Sequence, residues 1–333
     1  MRYFHAASGV LTKYLSIWII CSAGLALLIP DQLAPIAAYA KYIIMLLMLM
    51  MGLTLSPQDF ATIAKRPVSV VIGTVCHFTI MPLLALGIAT ALQLSSDLTI
   101  GLVLLGSIAS GSASTVMVFI AKGDVALAVA LGTLSTFLSI GLTPLLMKLL
   151  VGEMITISVA SMARDIAQIV LVPIVLGLVI RYAFPKLVRG FMPLVGPISG
   201  VAIIVISGGV FAAGNAAFLA SGPIIILAVI LHNVGGFALG YLGSRATGRS
   251  FRETRAITLE VGMQNAGLAS ALANTYFSPA AALPSAIAGS WHVISGAILA
   301  RFWASRTESE DRRTSTGVAA DVREGTSGVL AQE

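Results

Sequence analysis

The chain has 333 residues, of which 57% are hydrophobic and only 10% charged, and its mean hydropathy is +0.97. A soluble domain carries about 25% charged residues, and no single soluble core absorbs so many helices that are apolar all round, so a water-soluble globule is excluded. The net charge of +6 falls mostly in short loops between apolar runs, which argues against nucleic acid as a partner.

Turn residues and charges divide the chain into ten apolar segments, at about 14–29, 36–55, 68–93, 98–121, 125–149, 158–182, 191–217, 223–244, 255–276 and 281–303. Most approach or exceed the ~20 residues that cross a bilayer. Residues 1–13 read as a short N-terminal segment ahead of the first span. That span follows Arg2 and Lys13 and looks like a signal peptide, but the Ala38–Ala40 stretch lies too far away to be its cleavage site, so an uncleaved span is expected. Cys21 and Cys76 sit inside apolar runs and imply no disulfide framework. The methionines between Met45 and Met51 read as packing rather than as a metal site.

The third segment carries His77, five residues before Pro82, and the eighth carries His232-Asn233, which interhelical hydrogen bonding would also explain. The fourth is Gly/Ser-rich at its centre, Gly106-Ser-Ile-Ala-Ser-Gly-Ser-Ala-Ser-Thr115, where close helix packing or a break in the helix both fit. The ninth is interrupted by Glu260-Val-Gly-Met-Gln-Asn-Ala-Gly267, and packing does not explain Glu260, Gln264 and Asn265 together. His292 follows Trp291 near the middle of the last segment. From 304 to 333 the composition turns to Ser, Thr, Glu, Asp and Arg, which predicts a disordered tail.

Charge placement fixes the expected orientation. Alternate connections hold Arg2 and Lys13, Lys65 and Arg66, Lys122, then Arg181, Lys186 and Arg189, then Arg245, Arg249, Arg252 and Arg255, then the Arg-bearing tail. The other connections hold little beyond Lys148 and Arg164, offset by Glu153 and Asp165, with Lys41 near a segment end. The positive-inside rule then puts both termini in the cytoplasm and requires an even number of spans, which ten satisfies.

The two interruptions are about 150 residues, or five spans, apart, so the second half enters the membrane inverted, with one repeat at about 14–150 and the other at about 158–303. Paired interruptions in corresponding halves point to a transporter binding site. Broken helices leave amides and positive dipole ends on one side of the gap and carbonyls on the other. An acid at the depth of Glu260 costs about 2.5–3.5 kcal/mol to insert and needs a proton, a cation or a basic partner. Arg255, the nearest base in sequence, is a turn and a half away.

With Glu260-Val-Gly-Met-Gln-Asn-Ala-Gly-Leu-Ala and Trp291-His-Val-Ile-Ser-Gly in view, the chain resembles the bile acid:sodium symporter family over nearly all of 14–303, and most of all its bacterial members. The resemblance implies an all-α polytopic inner-membrane protein of ten helices in two inverted five-helix repeats. Spans 1, 2, 6 and 7 would form a panel beside a core of spans 3–5 and 8–10, where broken helices 4 and 9 cross. It implies secondary transport of a small organic anion, such as pantoate, ketopantoate or a bile acid, by cation-coupled symport, with no enzyme activity and no cofactor beyond the coupling ion.

Carried over by position, the family's second sodium site matches Glu260, Gln264 and the carbonyls of Val261 and Met263, while its third-span glutamine is His77 here. The first site keeps Ser114 and shares Glu260, but it has Thr115, Ala128 and Gly132 where the family has Asn, Ser and Thr. Ala and Gly offer no side-chain oxygen, so the first site is expected to be impaired and proton coupling through a His77–Glu260 pair becomes the alternative. On the substrate side the resemblance implies Ser112, Asn265 and His292. The arsenite carriers of the same superfold use a cysteine in the broken fourth helix, which Cys21 and Cys76 do not match. A passive facilitator or a non-pumping sensor remains a second alternative. An intramembrane enzyme is disfavoured by a single deep acid with no nucleophile–base pair.

Overall fold

The computed structural model describes residues 14–154 and 158–329, which are almost entirely helical and contain no strand. Arg2 and Lys13, and residues 330–333 of the tail, lie outside the described residues. Helix α1 (Leu15–Leu28) leads through a helical turn (Pro30–Leu33) and a 3-10 stretch (Ala34–Tyr39) into α2 (Ala40–Thr54). Then follow α3 (Pro57–Lys65), α4 (Pro67–Ala91), α5 (Ser96–Ser107), α6 (Ala113–Ile120) and α7 (Val125–Val151). The second half comprises α8 (Val159–Ile166), a π turn (Ala167–Leu171), α9 (Val172–Ala183), α10 (Pro185–Ala213), α11 (Asn215–Ala246), α12 (Phe251–Gly262), α13 (Ala266–Tyr276) and α14 (Pro279–Val329).

Seven helical stretches among the described residues are long and apolar enough to cross a membrane: Pro30–Thr54, α4, α7, Val159–Ala183, α10, α11 and the Pro279–Arg306 part of α14. Leu15–Leu28 and Ser96–Ser107 are apolar but shorter. The outer surface keeps large apolar side chains such as Leu28, Leu219 and Leu149 exposed, as a lipid-facing surface requires. The ends of the helices carry the local signals that stop and start them. Ser56 with Asp59, and Ser250 with Glu253, form capping boxes at α3 and α12, and Asp124 accepts from the Leu127 amide at the start of α7. At the end of α2, Arg181 Nη1 donates to the carbonyls of Leu53 (3.2 Å) and Leu55 (2.6 Å), holding a cation on the negative end of the helix.

α1, α2, α9 and α10 pack on one another, while α4, α5, α11, α12, α13 and α14 surround the centre. α2 and α9 approach closely enough that a Cβ on Gly52 would sit 2.3 Å from the Ile174 carbonyl oxygen. The innermost elements are the short ones. Every residue of α5 from Leu98 to Ser107 is buried, and so is every residue of α12 from Ala256 to Gly262. A helix covered on all sides belongs to the interior rather than to the lipid face.

Three differences from the sequence reading have physical reasons. The amphipathic α3 stands between the second and third segments, where polar residues obscured a helix too short to span. The seventh segment begins at Pro185, a favoured first helical residue, and turns at Gly214. The eighth then runs through Pro223 instead of starting there. The backbone of α14 stays helical to Val329, past residue 304 where composition predicts a disordered tail; Ala, Glu and Arg in that stretch are good helix formers.

Candidate functional site

The two interruptions meet. Between α5 and α6, and again between α12 and α13, the chain leaves the helix through extended residues at Ile108 (ψ 165°) and Met263 (ψ 99°). The two open segments pair antiparallel: Gly111 N donates to Met263 O (2.8 Å), Asn265 N donates to Ala109 O (2.8 Å), and Ser110 bridges Gln264. Unwound backbone at membrane depth survives only where its polar groups are met inside the protein, and here each break meets the other's. Gly111 permits the approach, because a Cβ there would lie 2.7 Å from the Gln264 carbonyl oxygen.

The carbonyls freed at the ends of α5 and α12 find matching partners. Thr143 Oγ1 donates to Ser107 O (2.7 Å), and Asn233 Nδ2 donates to Gly262 O (2.7 Å). His77 lies between the two helix ends, with Nε2 2.8 Å from Ile108 O and Nδ1 3.1 Å from Glu260 O. His232 Nε2 meets Met81 O at 3.1 Å. Thr143, Asn233 and His77, from α7, α11 and α4, act as the caps that the interrupted helices lack, while His232 ties α11 to α4.

The Glu260 side chain is 2% exposed. One carboxylate oxygen accepts from Ser110 Oγ and the other from Ser114 Oγ. The Arg66 ion pair is made with Asp124, and among the described residues no Lys or Arg pairs with the Glu260 carboxylate. The expected pairing of His77 with the Glu260 carboxylate is not formed. The ring meets the Glu260 carbonyl, because the carboxylate turns towards the serines of the other break while the last turn of α12 exposes its carbonyl to α4.

A void of about 10 Å³ lies against Glu260, lined also by Thr74, His77, Ser110 and Ser135. It has about the volume that one water-sized probe occupies. Thr74 Oγ1 and Gln264 Oε1 are buried with no hydrogen-bond partner, although Gln264 Nε2 donates to Val261 O. Orphaned buried oxygens around an unpaired carboxylate suit a small hard cation that takes oxygen ligands. Met263 O is already engaged by Gly111 N.

The remaining residues singled out from the sequence are distributed around the crossing. Ser114, Gln264 and Glu260 come together at its centre, whereas Thr115 is half-buried and the hydroxyls reaching Glu260 come from Ser110 and Ser114. Gly132 faces Glu260, with room for a Cβ 3.5 Å from Oε2, and Ala128 is fully buried. Ser112 occupies the N-cap position of α6, exposed and without a side-chain capping bond, and Asn265 caps α13 by accepting from the Leu268 amide (3.1 Å). The two caps thus stand at the amide ends of the second half-helices, where backbone dipoles favour an anion. His292 is buried, and neither ring nitrogen has a hydrogen-bond partner.

Ser110, Thr74 and Ser135 escape a sequence reading centred on the ninth segment. The Gly/Ser stretch signals Ser110, but Thr74 and Ser135 look like ordinary small polar residues inside apolar helices.

The family model of the sodium bile acid symporter family matches residues 42–221. The uncharacterized sodium-dependent transporter YocS of Bacillus subtilis (strain 168) is 39% identical over 294 residues, which cover 88% of this chain and 92% of that protein. The probable sodium/metabolite cotransporter BASS1, chloroplastic, of Arabidopsis thaliana is 34% identical over 257 residues, 77% of this chain and 64% of that protein. The corresponding BASS2 of Oryza sativa subsp. japonica is 35% identical over 261 residues, 78% of this chain and 62% of that protein. The matched region spans less than two thirds of either plant protein's length.

Proposed function

The chain belongs to the sodium bile acid symporter family, and from that premise we propose that it is a secondary active transporter moving a small organic anion together with sodium by alternating access. The observation that carries this reading is Glu260: a buried carboxylate with no Lys or Arg partner, at the crossing of two broken helices, beside a cation-sized void and orphaned oxygens. The cation would sit against Glu260 with Gln264, Val261 and Ser114. The anion, a pantoate- or ketopantoate-like carboxylate or a bile acid, would take the amide ends near Ser112 and Asn265, with His292 as a further polar contact.

A ten-span reading is supported by the seven long apolar stretches together with Leu15–Leu28 and the two broken pairs, α5–α6 and α12–α13. Two inverted repeats are supported by the five-span separation of the breaks and by the similar packing of α4 on α5 and of α11 on α12. Arg66, Arg249, Arg252 and Arg255 gather at one end of the helices, with Asp97, Asp165 and Tyr276 at the other. That asymmetry supports cytoplasmic termini and, for a bacterial protein, the inner membrane.

A second reading, proton coupling, is favoured by His77. Both its ring nitrogens face carbonyl oxygens, and only the imidazolium donates at both. In this reading the chain carries, at the helix ends, the positive charge that a second cation would supply.

Uptake of labelled pantoate and taurocholate into proteoliposomes, under a sodium gradient or a proton gradient separately, tests the proposal. Sodium-driven accumulation lost in Glu260→Ala is the expected result. Proton-driven accumulation lost in both Glu260→Ala and His77→Gln would establish the second reading. Failure of either anion to accumulate under either gradient, while sodium still binds, would remove those substrates and point to another substrate, or to a facilitator or sensor that does not pump.

A further inference from the structure

Ser110 supplies one of the two hydroxyls that hold the Glu260 carboxylate, yet it stands on backbone that no helix fixes. α5 ends at Ser107 and α6 begins at Ala113, so residues 108–112 lie outside both helices. Ala109 O and Gly111 N pair with the other break, which leaves the Ser110 amide to be met from a different side. α7 meets it: Ser135 Oγ accepts from Ser110 N at 3.2 Å. The same hydroxyl donates to Gly132 O at 3.0 Å, so Ser135 is fixed on its own helix while it fixes Ser110. Both serines are buried, where a hydrogen bond is stronger than in water.

α7 brings no side-chain oxygen to the carboxylate at Gly132, although a Cβ there would lie 3.5 Å from Glu260 Oε2 and 3.8 Å from Ser110 Oγ. The hold of this helix on Glu260 runs instead from Ser135 to the Ser110 backbone, and from the Ser110 hydroxyl to Oε2. Ser110 and Ser135 also line the small void against Glu260, so the brace stands where an ion would sit.

We infer that Ser135 is a positioning residue for cation binding, holding the open segment of the first break so that Ser110 presents its oxygen to Glu260 and to an ion in the adjoining void. This rests on the reading of Glu260 as a ligand of the coupling cation. The Ser110 hydroxyl can donate to the carboxylate and still turn a lone pair to an ion. Its placement depends on the backbone that Ser135 holds, and binding constellations need their groups placed within about 0.5 Å.

Equilibrium binding of radioactive sodium to the full chain in detergent tests this, with thermal melting as the check on folding. Ser135→Ala should weaken sodium binding roughly tenfold. Ser135→Thr keeps the hydroxyl and should stay within about threefold of the native chain. Ser139→Ala removes a buried hydroxyl from the same helix, one that donates to Thr136 O (2.8 Å), and should also stay within about threefold. Where Ser135→Ala does not fold, Ser135→Cys, close in shape and a weak acceptor, takes its place with the same expected loss. Because Ser135 acts through Ser110, the two losses should not add: Ser135→Ala should cost less than about twofold in a Ser110→Ala background. Full additivity, unchanged affinity in Ser135→Ala, or an equal loss in Ser139→Ala would overturn the inference while leaving Glu260 as a ligand. Absence of saturable sodium binding in the native chain would overturn the cation reading, and the role of Ser135 with it.

Discussion

Replacing Glu260 by Gln should separate stability from cation binding, and the two should move differently. The substitution keeps the shape and one carbonyl oxygen for Ser110 or Ser114, and the amide can donate to the other hydroxyl, which rotates to accept. The side chain loses a charge-assisted hydrogen bond of about 1.5–3 kcal/mol. It also sheds the cost of burying an ion with no basic partner, which is several kcal/mol. The folded state should therefore melt at the same temperature or higher in sodium-free buffer. Sodium affinity should fall at least about 100-fold, because an ion whose buried counter-charge is removed loses about 3–5 kcal/mol. Thermal unfolding of purified protein across a sodium titration measures both quantities, with potassium as the control for ionic strength. A large drop in melting temperature without sodium would mean that the carboxylate is a structural element, and sodium stabilisation unchanged in the variant would refute its role as ligand.

Gly111→Ala should disrupt the crossing, since its Cβ would lie 2.7 Å from the Gln264 carbonyl oxygen; lost transport with a lower melting temperature is the expected outcome, and normal uptake would contradict it. His77→Phe removes the imidazole N–H, which in the neutral ring serves one of the two buried carbonyls, and should cost about 1–3 kcal/mol, read as a reduced melting temperature, whereas His77→Gln restores a donor and should recover part of the loss. At the start of α12, burial pushes the Glu253 carboxyl up, but hydrogen bonds from Ser69 and Ser250 and the nearby Arg249 charge outweigh it and hold the group below its ordinary 4.5. A lowered folded-state value stabilises the protein above that ordinary value and loses the contribution as pH falls through the depressed one. Glu253→Gln should therefore lower the melting temperature at pH 7 by an amount that shrinks as the pH falls through the depressed value; a penalty that does not shrink with acidification would contradict the assignment.

Much of this architecture was legible from residue spacing, because bilayer-spanning helices must be long, apolar and separated by polar turns. The two interruptions were legible for the opposite reason: Gly106–Thr115 and Glu260–Gly267 are where apolar continuity fails. What spacing does not carry is the side on which a group faces. His77 and Glu260 could be assigned to the same neighbourhood from sequence, but not the choice between carboxylate and carbonyl, which depends on where α12 unwinds. Thr74 and Ser135 acquire meaning only when α4 and α7 bring them to the same void. The α10–α11 boundary was misplaced because Pro223 resembles a helix start, whereas Gly214 makes the turn.

The central claim is that Glu260 holds the coupling cation where the two broken helices cross. Equilibrium binding of radioactive sodium to the purified chain tests it most directly, with Glu260→Gln measured beside the native protein. The account predicts saturable sodium binding to the native chain and its loss in the variant, while both remain folded. Saturable sodium binding that survives in Glu260→Gln would contradict it.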